Sequence, residues 1–249
     1  MSPGVPVNCL QSRDLRVSHG STQILDLGGT FSIQPGLTVL LGRNGAGKST
    51  LMRVLASVQR PSSGDVVWRQ ASLTGQLRAY QRSLGWLPQN PGMPPQMSLV
   101  EFIRHVAWLR EVGRPKREEA VSRCLGLVNL SGLRHRRLGT LSGGERRRAA
   151  LAATIVGDPQ VIMLDEPTAG LDPEQRAELC EQVAKLDDGR RILVLSTHLM
   201  EDVAALQPPR LIVLDEGRIR ADASPSEITG IEVPDALALT TAFRRLLRS

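Results

Sequence analysis

Leu37-Thr38-Val39-Leu40-Leu41 runs directly into Gly42-Arg43-Asn44-Gly45-Ala46-Gly47-Lys48-Ser49-Thr50, and a helical run from Leu51 to Val58 follows. The apolar stretch reads as a strand buried on both faces of a parallel sheet. The nine residues after it fit G-x-x-x-x-G-K-[ST], with the preceding strand and following helix that this motif requires. Glycines let the chain curl so that successive N–H groups point inward, and the helix start adds partial positive charge. Lys48 then reaches the β- and γ-phosphates of a nucleoside triphosphate, and Ser49 supplies a hydroxyl for Mg²⁺. Gly42, Asn44, Gly45, Ala46, Gly47, Lys48, Ser49 and Thr50 are therefore the candidate phosphate cradle.

Working outward, Val161-Ile162-Met163-Leu164 is a second buried strand that ends in Asp165-Glu166, at the carboxyl edge where open parallel sheets place ligands. Asp165 is the candidate Mg²⁺ holder, and Glu166 the candidate that polarises the water attacking the γ-phosphate. Ile192-Leu193-Val194-Leu195 is a third strand, and Pro173 to Leu186 between them reads as a helix, so the alternation predicts a parallel α/β sheet. Short apolar segments from Val7 to Ile33, punctuated by Gly20, Gly28 and Gly29, predict an antiparallel β-layer. Proline interrupts the pattern between Pro88 and Pro95, after which Leu99, Phe102, Ile103, Val106 and Ala107 recur at helical spacing. Asp215-Glu216-Gly217 predicts a tight hairpin at the end of the sheet. A final helix is expected, with Leu239, Phe243, Leu246 and Leu247 on one face and Arg244, Arg245 and Arg248 on another.

Leu141-Ser142-Gly143-Gly144-Glu145 precedes a helical stretch from Arg146 to Val156. Ser142 and Glu145 make an S-x-x-E capping box. Capping alone does not require two glycines in a first turn, whereas a phosphate brought against Ser142, Gly143 and Gly144 does.

Together these motifs resemble the nucleotide-binding subunits of ATP-binding cassette (ABC) transporters over roughly residues 10 to 230, with Glu145 where the LSGGQ signature has Gln. The resemblance implies a P-loop NTPase core with a mostly parallel sheet, an N-terminal antiparallel β-layer and an inserted α-helical subdomain at about 90–157. The ATPase domain would then occupy 1–230 and a helical tail 231–249. It further implies that Gln89 is the Q-loop residue touching metal and attacking water, and that Asp172 in Ala169-Gly170-Leu171-Asp172 belongs to the D-loop. By the same likeness His198 is the switch histidine on the γ-phosphate. His19 stands where the family usually stacks a Tyr on the base. Two copies paired head to tail would bury two ATP, and a separate transmembrane permease would dock on the helical middle, where Met93, Met97, Phe102 and Trp108 are expected to line a groove. Met97 to Leu109 is similar to exporter ATPases, and the tail is short for an importer's regulatory domain, so export is expected.

Composition sets the remaining limits. The chain has 249 residues, 41% hydrophobic and 22% charged, enough for a sizeable core. Seven aromatics argue against recognition of single-stranded nucleic acid by base stacking. The net charge of +6 suits an acidic ligand, an anionic membrane or nucleic acid. Arginines at 134, 136, 137, 146–148, 244, 245 and 248 are read as solvated helix faces or contacts near anionic lipid, so no specific nucleic-acid partner is expected. Three scattered cysteines match no zinc spacing and suit a reducing compartment. No leader peptide and no spanning segment is evident, so a separate chain must span any membrane at which the protein works; the resemblance then implies a cytoplasmic location, peripheral to the inner face of the cell membrane. The competing reading is a soluble cassette ATPase that serves as an assembly or scaffold factor.

Overall fold

The computed structural model of the chain describes residues 9–247; Val7, the expected start of the β-layer, and Arg248 of the terminal arginine face lie outside them. In chain order, β1 (Leu10–His19) and β2 (Thr22–Ile33) form a hairpin, β3 (Gly36–Leu41) leads into the glycine loop, and α1 (Lys48–Leu55) follows it. Next come β4 (Ser63–Trp68), β5 (Ala71–Ser72), α2 (Leu73–Ser83) and β6 (Leu84–Leu87). The helical middle consists of α3 (Leu99–Leu109), α4 (Arg114–Leu127) and α5 (Gly143–Ile155). Strands then return as β7 (Val161–Asp165), with α6 (Pro173–Ala184), β8 (Ile192–Thr197) and α7 (Met200–Leu206) after it. The chain closes with β9 (Arg210–Asp215), β10 (Arg218–Ala223), α8 (Pro225–Thr229) and α9 (Ala236–Leu246).

Two sheets result. One is antiparallel, ordered β2-β1-β4-β5; the other is ordered β10-β9-β3-β8-β7-β6, and only its β10–β9 edge pair is antiparallel. The β-layer is thus larger than the 7–33 segment suggests. Its other half comes from β4 and β5, whose polar start at Ser63-Gly64-Asp65 hides their strand character.

Burial on both faces of the parallel sheet follows from the period of two along each strand. Leu37, Val39 and Leu41 of β3 face a cluster built with helices α3 to α7 and α9, while Leu40 faces a cluster built with α1 and the antiparallel layer. Ile162 and Leu164 of β7 split from Val161 and Met163 in the same way. The helix expected to reach Val58 stops at Leu55, because Ser57 takes left-handed backbone at φ 58°.

The β9–β10 hairpin turns on Glu216 (φ 46°) and Gly217 (φ 74°), the pattern of a type I′ turn. Gly217 N–H donates to Ala46 O (3.1 Å), and Gly217 O accepts from Asp26 N (2.9 Å), so this turn pins the glycine loop to β2. A Cβ at Gly217 would collide with Ile24 O, which leaves glycine as the residue that fits. Among the described residues no helix is long and apolar enough to cross a membrane.

Candidate functional site

Four adjacent parallel strands deliver four loops to one edge of the sheet. The register pairs Leu41 with Thr197, Asp165 with Ser196 and Leu87 with Leu164, so the carboxyl ends of β3, β8, β7 and β6 are level. Beyond those ends lie the glycine loop, His198, Glu166 and Gln89. Residues as distant in sequence as Leu41 and Thr197 therefore meet because β3 inserts beside β8 rather than beside its sequence neighbours.

The glycine loop is shaped for close approach. Gly45 (φ 83°) and Gly47 (φ 99°) hold left-handed backbone, and a Cβ at Gly42 would strike Leu214 O. Helix α1 begins at Lys48 with Gly47 as its N-cap, no capping side chain and no acidic residue in its first turn. Its first N–H groups and dipole are left for an anion. Lys48 is only 4% exposed; its Nζ donates to Gly42 O (2.9 Å) and Arg43 O (3.1 Å) and lies 3.3 Å from Glu166 Oε1.

Glu166 is the hub. Its side chain also accepts from Gln89 Nε2 at Oε2 (3.2 Å), and His198 Nδ1 lies 3.3 Å from Oε1. That imidazole nitrogen is buried and makes no hydrogen bond, so it is near the carboxylate but not aligned with it. Glu166 itself holds left-handed backbone (φ 46°), fixed by Glu166 N donating to Ser196 Oγ (3.0 Å) and to Ser196 O (3.1 Å). One residue earlier, Asp165 Oδ1 accepts from Ser49 Oγ (3.2 Å) and Ser196 Oγ (2.6 Å). A hydroxyl and a carboxylate meeting beside a phosphate cradle are hard oxygen donors of the kind Mg²⁺ uses, together with water and phosphate oxygens. The residues present fit that ion. Gln89, also expected to touch the metal, is directed by its amide to Glu166.

A family model described as ABC transporter matches residues 28–169. The chain belongs to the ABC transporter family. It is 31% identical over 225 residues to the Nod factor export ATP-binding protein I of Cupriavidus metallidurans, a match covering 90% of this chain and 74% of that one. It is 30% identical over 226 residues to the petrobactin import ATP-binding protein FpuD of Bacillus anthracis, covering 88% and 82%. The dimeric ABC transporter cassette MJ0796 shares the fold, with TM-score 0.77 and 20% identity over 86% of this chain and 98% of that one. One relative is named for export and the other for import, so likeness fixes the family, and ATP hydrolysis is general to it, while the direction of transport is not fixed.

Other residues of this ABC ATPase lie apart from the hub. Ser142 caps α5: Glu145 N donates to its Oγ (3.2 Å), and Ser142 N donates back to Glu145 Oε2 (2.7 Å). Gly143 is exposed with open space where a Cβ would project. Gly144 differs, because it is buried and a Cβ there would run into Gln175. Packing against Gln175 thus gives Gly144 a reason within the chain as well, beside the phosphate contact expected of it. Asp172 is the exposed N-cap of α6, accepting from Gln175 N (2.9 Å). His19 stands exposed at the end of β1, paired with Thr22 across the hairpin. Met93, Met97 and Phe102 are half-buried against the core, whereas Trp108 is 57% exposed.

Two buried charged residues were not legible as site residues. Arg147, grouped with Arg146 and Arg148 as a solvated face, is 8% exposed and lies against Gln89 and the segment just after β7. The signal was present in its spacing, since Gly144, Arg147, Ala150, Leu151 and Thr154 fall on one helical stripe. Asp202 of α7 is fully buried, and its Oδ2 accepts from Thr168 Oγ1 (2.6 Å) and from Thr197 Oγ1, tying the loop after Glu166 to the residue before His198.

Burial pushes the Asp202 carboxyl up from its ordinary value, opposed by the Thr168 and Thr197 hydroxyls. A folded pKa above the unfolded one means that the native state binds the proton more tightly. The stability this group contributes is then fully present below pH ~4 and is lost as pH rises through the folded value. Asp202→Asn removes that loss, so the variant should melt above the wild type at pH 7.5, with the gain vanishing near pH 4. Each 1 kcal/mol is worth about 2–4 °C in a domain of this size. Thermal scans at the two pH values check this, and an unchanged difference between them would count against it.

Proposed function

We propose that this chain is the ATP-hydrolysing subunit of an exporter, docked on a separate membrane-spanning permease at the cytoplasmic face and working as a pair of chains that close over two MgATP. The observation that carries the reading is the single carboxylate of Glu166, buried and within 3.3 Å of Lys48 Nζ, His198 Nδ1 and Gln89 Nε2.

In this reading the loop amides and the first turn of α1 receive the β- and γ-phosphates, and Lys48 Nζ exchanges the carbonyls of Gly42 and Arg43 for phosphate oxygens. Ser49 and Asp165 hold Mg²⁺, which when bound neutralises charge on the phosphate oxygens. Glu166 accepts the proton of the attacking water, Gln89 orients that water, and His198 holds the γ-phosphate. His19 packs on the base. One chain presents the triphosphate on one face only, so Ser142, Gly143 and Gly144 of a second copy, with its D-loop Asp172, supply the other. The dimeric state of MJ0796, a cassette of this fold, supports pairing.

Closure is a population shift: the nucleotide binds the closed pair better than the open one, and the difference is the work available to the permease. Trp108 and Leu109, 57% and 59% exposed at the end of α3, are the docking candidates within 90–157, the segment we take as the helical subdomain. The export direction rests on the likeness of Met97 to Leu109 to exporter ATPases and on the Nod factor relative.

Calorimetry tests the core of the reading. The purified chain should take up ATP only with magnesium, and Lys48→Met should weaken that uptake at least about 100-fold through loss of charge-assisted phosphate contacts. Absence of magnesium-dependent uptake in the wild type would end it. Co-purification with a multi-span membrane protein separates the transporter subunit from a soluble assembly factor.

A further inference from the structure

Among the described residues no carboxylate lies within ion-pair distance of the Arg147 guanidinium, although the charges of Asp165 and Glu166 act on it from farther off. Its guanidinium instead donates to four main-chain carbonyls: Nε to Pro167 O (2.6 Å), Nη1 to Gln89 O (2.6 Å), and Nη2 to Asp165 O (3.4 Å) and to Glu166 O. These carbonyls belong to two segments that share no ladder at this point, the irregular loop after β6 and the turn after β7. The side chain reaches them from a third element, α5, five residues after the Ser142 cap. A planar fork with five donors suits this fan of acceptors, and a lysine ammonium does not match its spread.

We propose that Arg147 is a positioning residue for hydrolysis: one guanidinium fixes the left-handed backbone of Glu166 and the placement of Gln89, and ties both to the helix that begins at the signature serine. The inference rests on Glu166 acting as the base, and it goes beyond that reading by assigning what aims the base. Glu166 sits at φ 46°, a conformation that persists only when its surroundings over-determine it. Ser196 grips its N–H side, and Arg147 grips its carbonyl side. The arrangement also makes the Q-loop, the base and the signature helix one unit within a chain. A shift of Gln89 by a docked partner would reach Ser142 through Arg147 without passing through nucleotide.

The test uses the full chain as wild type, Arg147→Lys and Arg147→Met, with two readouts. The first is steady-state MgATP turnover. Arg147→Met should lower kcat at least about tenfold with KM within about threefold, and Arg147→Lys should fall between, because placement is lost but phosphate binding is not. The second is amide hydrogen exchange, which needs no hydrolysis. Exchange over residues 87–91 and 165–169 should quicken at least about tenfold in Arg147→Met, with residues 192–195 of β8 unchanged.

Unaltered exchange at both segments overturns the proposal. So does a uniform rise across the chain with kcat and KM moving together, since that is loss of structure rather than of placement. Should Arg147→Met not fold, Arg147→Lys decides on the same two readouts. A wild type that binds no MgATP would instead refute the Glu166 reading, and the exchange data would still judge the hold of Arg147.

Discussion

Glu166→Gln is expected to keep its affinity for MgATP, to lose about 10²–10⁴ in turnover and to accumulate as an ATP-bound dimer. The substitution keeps the size of the side chain and its ability to accept from Gln89 Nε2, but it removes the carboxylate proposed to take a proton from water. Affinity should survive because the phosphate contacts come from elsewhere, from the loop amides, the start of α1 and Lys48. That ammonium retains Gly42 O and Arg43 O as acceptors when its ionic partner becomes neutral. The dimer accumulates because closure follows binding and release follows hydrolysis, so blocking the second step strands the closed population. Turnover, fluorescent-nucleotide titration and size-exclusion chromatography with MgATP read the three consequences separately. Turnover within threefold of wild type would remove Glu166 from the base role, and the hub would then be a structural ion pair with Lys48.

Much of this site was legible because its chemistry is written in short local strings. Gly42 to Thr50 states a strand, a curl and a helix start in nine residues, and Val161 to Glu166 states a strand and its carboxylates in six. Each string declares its elements locally, although the turn at Gly217 and the hold of Ser196 and Arg147 on Glu166 come from elsewhere in the chain. What was not legible depends on pairs distant in the chain. β4 and β5 complete the antiparallel layer only because β1 lies between β2 and β4, and no pattern in Ser63-Gly64-Asp65 announces that neighbour. Gly217 is required by the approach of Ile24 O and Ala46 O from two other elements, although its own sequence says only that a hairpin turns there.

Arg147 and Asp202 follow the same logic with opposite charges. Each sits in a run of polar residues that reads as a solvated helix face, Arg146-Arg147-Arg148 and Glu201-Asp202. Each is buried by the turn of its helix, where neighbours rotated by about 100° remain at the surface. Their hydrogen-bond partners are main-chain carbonyls in one case and threonine hydroxyls in the other, with Arg176 Nε 3.9 Å from Asp202 Oδ1. Carbonyls and hydroxyls leave no charge pattern in the sequence. The Gly143-Gly144 pair shows the converse limit: the packing of Gly144 against Gln175 is a second reason for glycine that the local string does not announce.

Gly143→Trp is expected to abolish ATP-driven pairing and to reduce turnover at least about 100-fold while leaving MgATP binding to the single chain intact. The argument is geometric. Gly143 is the first helical residue of α5, its backbone is not left-handed, and nothing lies within 4 Å of where its Cβ would project, so a large side chain costs the folded monomer little. The same bulk stands beside the Ser142 hydroxyl, on the surface proposed to close over the γ-phosphate of a partner. Gly144→Trp cannot serve for this experiment, because its side chain would first displace Gln175 and disturb the start of α6. Pairing is essential to turnover in this view because Glu166 and His198 approach the γ-phosphate from one side only, and the opposite side must be screened from water before charge can be stabilised there. Sedimentation velocity of Glu166→Gln with and without the added Gly143→Trp gives the sharpest reading. A dimer that forms equally well in both would mean that Gly143 lies outside the interface, and that Ser142 is a helix cap and nothing more.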